Sequence, residues 1–562
     1  MRPPKILNIP SVDQHLRNTI SKQLDISPVL AQILINRGIH TVSSAEEFIQ
    51  ASPKHLLDPF SFKDMKKAVD IIKKAAKEKK RVMIYGDYDV DGITSTALLK
   101  DAFLKLGITA DCYIPHRIKE GYGLNKNIIS LTKQKKIDLL VTVDCGTNSH
   151  ECIKGLTENK IEVVVTDHHE PSSTAHFPGS AIINPKLKDS GYKFRDLAGV
   201  GVAYKFCQAL SGKLLADELD LVTLGTIADV VPLMGENRII VKEGLNRLTN
   251  SKRPGVKALI EVSRIKDKAI TAGFVSYILA PRLNASGRVD TALTALNLLL
   301  SKDSGEAEVL AKDIDSFNRS RQKIEAQILE EAQAIIAQEV NFKQHKVIVV
   351  SKDSWHQGVL GIVASKLSDK FYRPTILISE SADKCKGSGR SIKNFHLFNA
   401  LLDSSHLLDN FGGHSHAVGL VIPREKISDF RKNINKFACD NLNLQDLIPS
   451  IDIDMELSLS DLNKDLIKEL EVLEPYGAAN PQPLFYTKNL KLKSQPQVLK
   501  ADTLKFWVTD GVVSHQVIGF RMASFKDSLL SASYLDLVYT PRIDSWQDDE
   551  SIILEAEEIF FK

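Results

Sequence analysis

No two of the six cysteines, Cys112, Cys145, Cys152, Cys207, Cys385 and Cys439, stand in a CxxC spacing. That excludes a structural zinc site of the usual spacing, and the six read as packing or incidental thiols in a chain too large to need disulfides. No apolar run approaches the roughly 20 residues that span a bilayer. The opening MRPPKILNIP lacks the apolar stretch of a signal peptide, so the expected location is the cytoplasm, away from membranes. Nucleotide fingerprints are absent too: there is no GxGxxG after a strand, no GxxxxGK loop and no GxSxG elbow. GYG at 121–123 and GVG at 199–201 are too short to replace them. Excess charge of either sign is also missing. With 73 Lys and Arg against 70 Asp and Glu, the net charge is +3, which argues neither for nor against nucleic acid, because a basic groove can sit on a nearly neutral protein. The basic run KKAAKEKKR at 73–81 reads as a solvated helix face.

What is present is a long α/β chain. At 562 residues it exceeds a single core, since cores stop growing near ~250–300 residues. Residues 1–75 read as a mixed helical region, with a cap-and-helix pattern from Ser43 (SSAEEFIQ). From 76 to 290 short continuous apolar runs alternate with helical stretches such as ITSTALLKDAFLKL: RVMIY (81–85), ADCYIP (110–115), IDLLVTV (137–143) and IEVVVT (161–166). That order predicts a parallel sheet covered on both faces. Residues 291–340 read as long connecting helices, with apolar positions at Ile314, Phe317, Ile324, Ile328 and Ile335. A second α/β pattern fills 341–445, and 446–562 turns to short alternating strands, predicting a small β-barrel or sandwich.

The chemistry-bearing residues follow the apolar runs. Asp87, Asp89 and Asp91 follow RVMIY, Asp144 follows IDLLVTV, Asp167, His168 and His169 follow IEVVVT, and Asp229 follows LVTLGTIA. Ligands of open parallel sheets bind outside the carboxyl ends of the strands, so these segments are expected to meet in one crevice. Four or more carboxylates there repel one another unless a cation joins them. Carboxylates with an imidazole suit Mn²⁺ or Mg²⁺, and a cluster this acidic can hold two ions, activating water and stabilising both oxygens of an in-line phosphoryl displacement. A single Asp after a strand is more often a turn former or helix cap, and Asp91, which opens a helix with Gly92, is read that way. Trp355 reads as a packing anchor rather than a base-stacking platform.

Taken in order, YGDYDVDGITST (85–96), PHRIKEGYGL (115–124), VTVDCGTNS (141–149), VVVTDHHEP (163–171), LGTIADVVPL (224–233), APRLNASGRVDTA (280–292), WHQGVLGIVASKL (355–367), GSGRS (387–391) and FGGHSHAVGL (411–420) resemble the DHH phosphoesterase superfamily and, within it, the RecJ family. The resemblance spans about 70 to 560. It implies a parallel-sheet DHH domain, a second α/β DHH-associated domain closing over the active site, and a C-terminal OB-like barrel that binds single strands. Carried over by position, Asp87, Asp89, Asp144, His168 and Asp229 match the metal ligands, with Asp144 at the bridging position. His169 matches the imidazole that meets the scissile phosphate. Arg117, Arg288, Ser388 and Arg390 match phosphate-holding positions, and His414 matches the GGH motif that faces DNA. Tyr85 and Gly86 stand where many superfamily members carry a His, one ligand fewer for a second ion.

The implied activity is a metal-dependent exonuclease on single-stranded DNA, running 5′ to 3′ in repair and recombination, with a single-strand-binding protein and a helicase as the implied partners. Two alternatives remain open in the sequence: a DHH phosphodiesterase for short oligonucleotides or cyclic dinucleotides, and a non-catalytic DNA-binding scaffold.

Overall fold

The computed structural model describes residues 5–172, 177–380, 384–546 and 549–562. Two compact units emerge, one formed by 58–229 and 244–449, the other by 5–57, 230–243 and 450–562.

The first unit opens with a five-stranded sheet built from the predicted runs: β1 (Val82–Gly86), β2 (Ala110–Tyr113), β3 (Leu139–Val143) and β4 (Glu162–Thr166), with β5 (Ala181–Ile183) added at the edge. The order is β2-β1-β3-β4-β5, all parallel. Every residue of β1 and β3 is buried, the consequence of helices on both faces, which is why these strands read as unbroken apolar runs. The register matters most: Gly86 pairs with Val143, and Val143 pairs with Thr166. Three strands therefore end level, and the next residue in each is an aspartate: Asp87, Asp144 and Asp167.

Helix α1 (Val90–Lys105) returns from β1, and α2 (Gly199–Ser211) and α3 (Leu219–Ala228) pack beside it. The apolar LVTLGTIA is thus a helix rather than a strand. A helix buried all round and a buried strand cannot be separated by periodicity alone. Next come α4 (Ala280–Val289) and the 36-residue α5 (Ser304–Glu339).

The second sheet of this unit has β6 (Ile348–Asp353), β7 (Thr375–Glu380), β8 (Cys385–Arg390), β9 (Asn410–Gly413) and β10 (Ala417–Ile422), in the order β9-β10-β8-β7-β6. Only β6 and β7 run parallel; the other pairs are antiparallel. Along β7, Ile376 and Ile378 enter one core and Leu377 the other, the period-2 alternation of a strand covered on both sides. Helix α6 (Leu360–Phe371) covers one face. Trp355 is 4% exposed and its indole Nε1 donates to Glu331 Oε2 at 2.8 Å, so it is a packing anchor.

The second unit carries a seven-stranded antiparallel-rich sheet from Met455 to Phe561 that closes on itself where Lys491 and Leu492 pair with Thr509 and Val508. Buried Arg238 ties its three segments together, donating to the carbonyls of Phe48 (2.9 Å), Leu473 (2.8 Å) and Val472 (2.6 Å). Phe506 is 1% exposed and belongs to the core, whereas its neighbour Trp507 is 40% exposed. No helix among the described residues is long and apolar enough to cross a membrane.

Candidate metal centre and its cleft

The level ends of β1, β3 and β4 gather the predicted acidic residues, and α3 supplies Asp229 from its C-terminal cap. Ligand atoms of Asp87, Asp89 and Asp144 lie within 4.8 Å of one another, as do those of Asp91, His168 and Asp229, and those of Asp144, His168 and His169. Asp144 is shared between two groups, and His168 Nε2 lies 3.2 Å from Asp144 Oδ1 and 3.5 Å from Asp229 Oδ2. The strand end is shaped for this. Asp144 sits at φ 58°, a left-handed conformation that Asp tolerates better than most residues. A Cβ at Gly199 would stand 2.6 Å from Asp144 Oδ1, so only glycine lets the N-terminus of α2 approach so closely.

Burial and mutual repulsion dominate the electrostatics. Burial, then the neighbouring Asp89, lifts the Asp87 carboxyl well above the usual range; burial and Asp91 do the same to Asp144 and Asp229. Burial, then His169, pushes His168 down to about 3. Asp87 Oδ1, Asp144 Oδ1 and His168 Nε2 are buried without a hydrogen-bond partner, an expensive arrangement for polar atoms unless a cation is their partner. Hard carboxylate oxygens with one neutral imidazole nitrogen fit a divalent ion of the Mn²⁺ or Mg²⁺ type.

Three residues in this crevice receive no site role from sequence reasoning, although the segments carrying Asp91 and Asp167 are expected there. Asp91, taken for a cap, accepts the α2 backbone N–H groups of Gly199 (2.6 Å) and Val200 (2.7 Å), while Asp89 caps α1 by accepting from Gly92. Burial, then Asp89, raises Asp91 to about 7. Asp167 belongs to none of the three ligand groups. Its Oδ1 accepts from His168 N (2.7 Å) and stands 2.8 Å from His169 Nδ1; its Oδ2 accepts from Thr147 N (2.8 Å). Burial opposes its charge, but these partners outweigh burial and hold it below the usual carboxylate range. Burial likewise opposes the charge on His169, and Asp167 outweighs it and raises His169. Because a carboxylate can only accept, the bond places a proton on Nδ1. The third is Tyr122, whose hydroxyl lies 2.9 Å from His169 Nδ1. Position alone could have flagged Asp167, which starts the DHH tripeptide.

Beside this centre lies a cleft of about 560 Å³, within the size range of small-ligand sites. Its lining includes Tyr88, Arg117, Tyr122, Lys386, Ser388 and Phe411. The guanidinium of Arg117 lies 4.8 Å from the centre of the Tyr88 ring. Arg288 donates to the carbonyl of Gly358 (3.0 Å) and Arg390 to that of Gly389 (2.9 Å). Neither Arg288 nor Arg390 is among the residues that line the cleft, but like charges stand near one another: burial, then Arg117, Arg321 and Arg390, lowers Arg288 to about 9, and burial and Arg117 lower Arg390. Such a cluster invites an anion. His414 stands exposed in the turn after β9, its backbone N–H on the carbonyl of Ala417, apart from the residues lining the cleft.

Comparison with known proteins fits this geometry. Residues 81–226 match the model of the DHH family, N-terminal domain, residues 344–439 the DHHA1 domain, and residues 453–558 the RecJ OB domain. A single-stranded-DNA-specific exonuclease RecJ of Bacillus subtilis is 38% identical over 540 residues, covering 95% of this chain and 68% of that protein. Its counterpart in Haemophilus influenzae is 35% identical, covering 96% and 97%. The chain belongs to the RecJ family. RecJ from Thermus thermophilus, solved in complex with Mn²⁺, superposes with a TM-score of 0.85 at 27% identity, covering 99% of this chain and 79% of that one. The same protein solved with Mg²⁺ gives 0.77. As the RecJ relationship implies, the final strands form an OB-type barrel, the second sheet with α6 is the DHHA1 domain, and the first sheet is the DHH domain.

Proposed function

We propose that this chain is a divalent-metal-dependent exonuclease that hydrolyses single-stranded DNA from its 5′ end and releases nucleotides, acting in DNA repair and recombination. The observation that carries the reading is the set of buried, unpartnered atoms on Asp87, Asp144 and His168, at the strand ends of a chain whose relatives are single-stranded-DNA-specific exonucleases.

Asp87, Asp89, Asp144, His168 and Asp229 would hold Mn²⁺ or Mg²⁺. Such an ion supplies Lewis-acid activation of water and neutralises charge on the scissile phosphate. The protein does the rest. Asp91 pins the N-terminus of α2 beside Asp144 and so fixes that carboxylate. Asp167 holds the His169 ring by Nδ1 and favours its charged form, in which Nε2 also carries a proton to donate to the scissile phosphate. Arg117, Arg288, Ser388 and Arg390 bind the phosphate at the strand end. With that end anchored, the distance from the anchor to the metal ligands selects the bond that is cut. His414 contributes a more distant contact to the strand.

The domain division that goes with this reading is an N-terminal region at 1–75, the DHH domain at 76–290, connecting helices at 291–340, the DHHA1 domain at 341–445 and the OB domain at 446–562. A single-strand-binding protein and a helicase are the partners, and the cytoplasm the location, that membership in the family supports. The decisive variant is Asp144→Ala. It should abolish cleavage while leaving much of the DNA binding, because phosphate contacts elsewhere supply that affinity. Near-normal turnover would refute the metal assignment.

A further inference from the structure

Tyr85 occupies a telling place. It lies on β1 two residues before Asp87, yet it belongs to none of the ligand groups. The side chain is fully buried in the apolar cluster with Leu124, Ile128 and Cys145. Its hydroxyl donates to the carbonyl of Gly123 at 2.9 Å, and its ring stacks on Tyr113 with centroids 5.4 Å apart.

Gly123 belongs to an arm, residues 114–126, that links β2 to the helix Asn127–Lys135. Glu120 is the arm's internal hub. Its Oε1 accepts from Tyr113 Oη (2.6 Å) and Asn125 Nδ2 (3.1 Å), and its Oε2 from His116 N (2.7 Å). Bonds to a charged acceptor are among the stronger ones, so the arm is tied at both ends. Between the ties, Gly121 and Gly123 both have φ 80°, a conformation that favours glycine. They flank Tyr122, whose hydroxyl lies 2.9 Å from His169 Nδ1 and 3.4 Å from the carbonyl oxygen of Asp144.

The path is therefore short and continuous: Tyr85 holds Gly123, Gly123 adjoins Tyr122, and Tyr122 meets His169. We propose that Tyr85 is a positioning residue for His169, acting through Gly123 and Tyr122. The proposal rests on the reading of His169 as the group that meets the scissile phosphate. Asp167 Oδ1 and Tyr122 Oη both stand against the Nδ1 proton of His169, and fixing a catalytic ring by two acceptors cuts the misaligned fraction at each turnover, so the effect belongs to kcat rather than to strand affinity.

The test is a double-mutant cycle on the full-length protein with Mg²⁺ and a 5′-phosphorylated single strand. Tyr122→Phe should lower kcat about tenfold with KM little changed, and Tyr85→Phe about three- to fivefold, each keeping its ring. If Tyr85 acts through Tyr122, the double variant is no slower than Tyr122→Phe alone. A second readout does not depend on turnover: ¹⁵N-histidine spectra, with His169 assigned by His169→Asn, should show its ring resonances displaced in both single variants. Multiplicative losses in the cycle overturn the proposal, as does a His169 resonance that Tyr85→Phe leaves in place. A wild-type protein inert on single strands would refute the proposed function instead, and the His169 resonances would still decide the role of Tyr85.

Discussion

Asp144 Oδ1 and His168 Nε2 stand 3.2 Å apart, both buried and neither with a hydrogen-bond partner. The pair lies at the level ends of β3 and β4, and under the proposed function a divalent cation is the partner that offsets its cost. Burial and like charges lift Asp87, Asp144 and Asp229 above the ordinary carboxylate range. To ligate a cation those groups must be deprotonated. The affinity for Mn²⁺ should therefore rise with pH, and binding should release protons. Titration calorimetry between pH ~6 and ~8, in buffers of different ionisation enthalpy, checks both. An affinity that falls as pH rises would contradict the ligand set.

Arg390 gives a sharper prediction about the strand end. Arg390→Ala should lose a charge-assisted contact of about 1.5–3 kcal/mol, roughly ten- to a hundred-fold in kcat/KM on a 5′-phosphorylated strand. The loss on a 5′-hydroxyl strand should be much smaller. Equal losses on both strands, with a lowered melting temperature, would make Arg390 a structural residue and remove it from the end pocket.

The OB domain separates two adjacent aromatics. Phe506→Ala should destabilise the fold by about 3–5 kcal/mol, because it empties a buried ring. Trp507→Ala should leave the melting temperature nearly unchanged and weaken binding to a long strand by about 1–3 kcal/mol, the usual worth of one base stacked on an aromatic side chain. Unchanged affinity in Trp507→Ala would reject that ring as a platform. Anisotropy titration and a melting curve on each variant distinguish the two roles.

Much of this was legible in the sequence, for particular reasons. RVMIY, IDLLVTV and IEVVVT announce strands because both faces of the sheet are covered, and the aspartates after them mark the crevice because the strands end level at Gly86, Val143 and Thr166. Other features were hidden in the tertiary structure. LVTLGTIA is apolar on every side, so nothing local says that it delivers Asp229 from a helix. Asp91 looks like a cap until α2, more than a hundred residues later, brings the N–H groups of Gly199 and Val200 to it. The capping residue near Ser43 is in fact Thr41, which shares a capping box with Ser44. Phe506 and Trp507 differ only in which face of one strand they occupy, a parity that the barrel's register settles.

The most direct measurement uses a single strand with a 5′-phosphate and a label at its 3′ end, incubated with the purified protein and Mn²⁺. Stepwise hydrolysis from the 5′ end predicts a ladder of progressively shorter fragments that keep the label to the last step. The ladder should be abolished by EDTA and absent for a fully paired duplex. Early release of the label as a mononucleotide, or cleavage that continues in EDTA, would contradict the account.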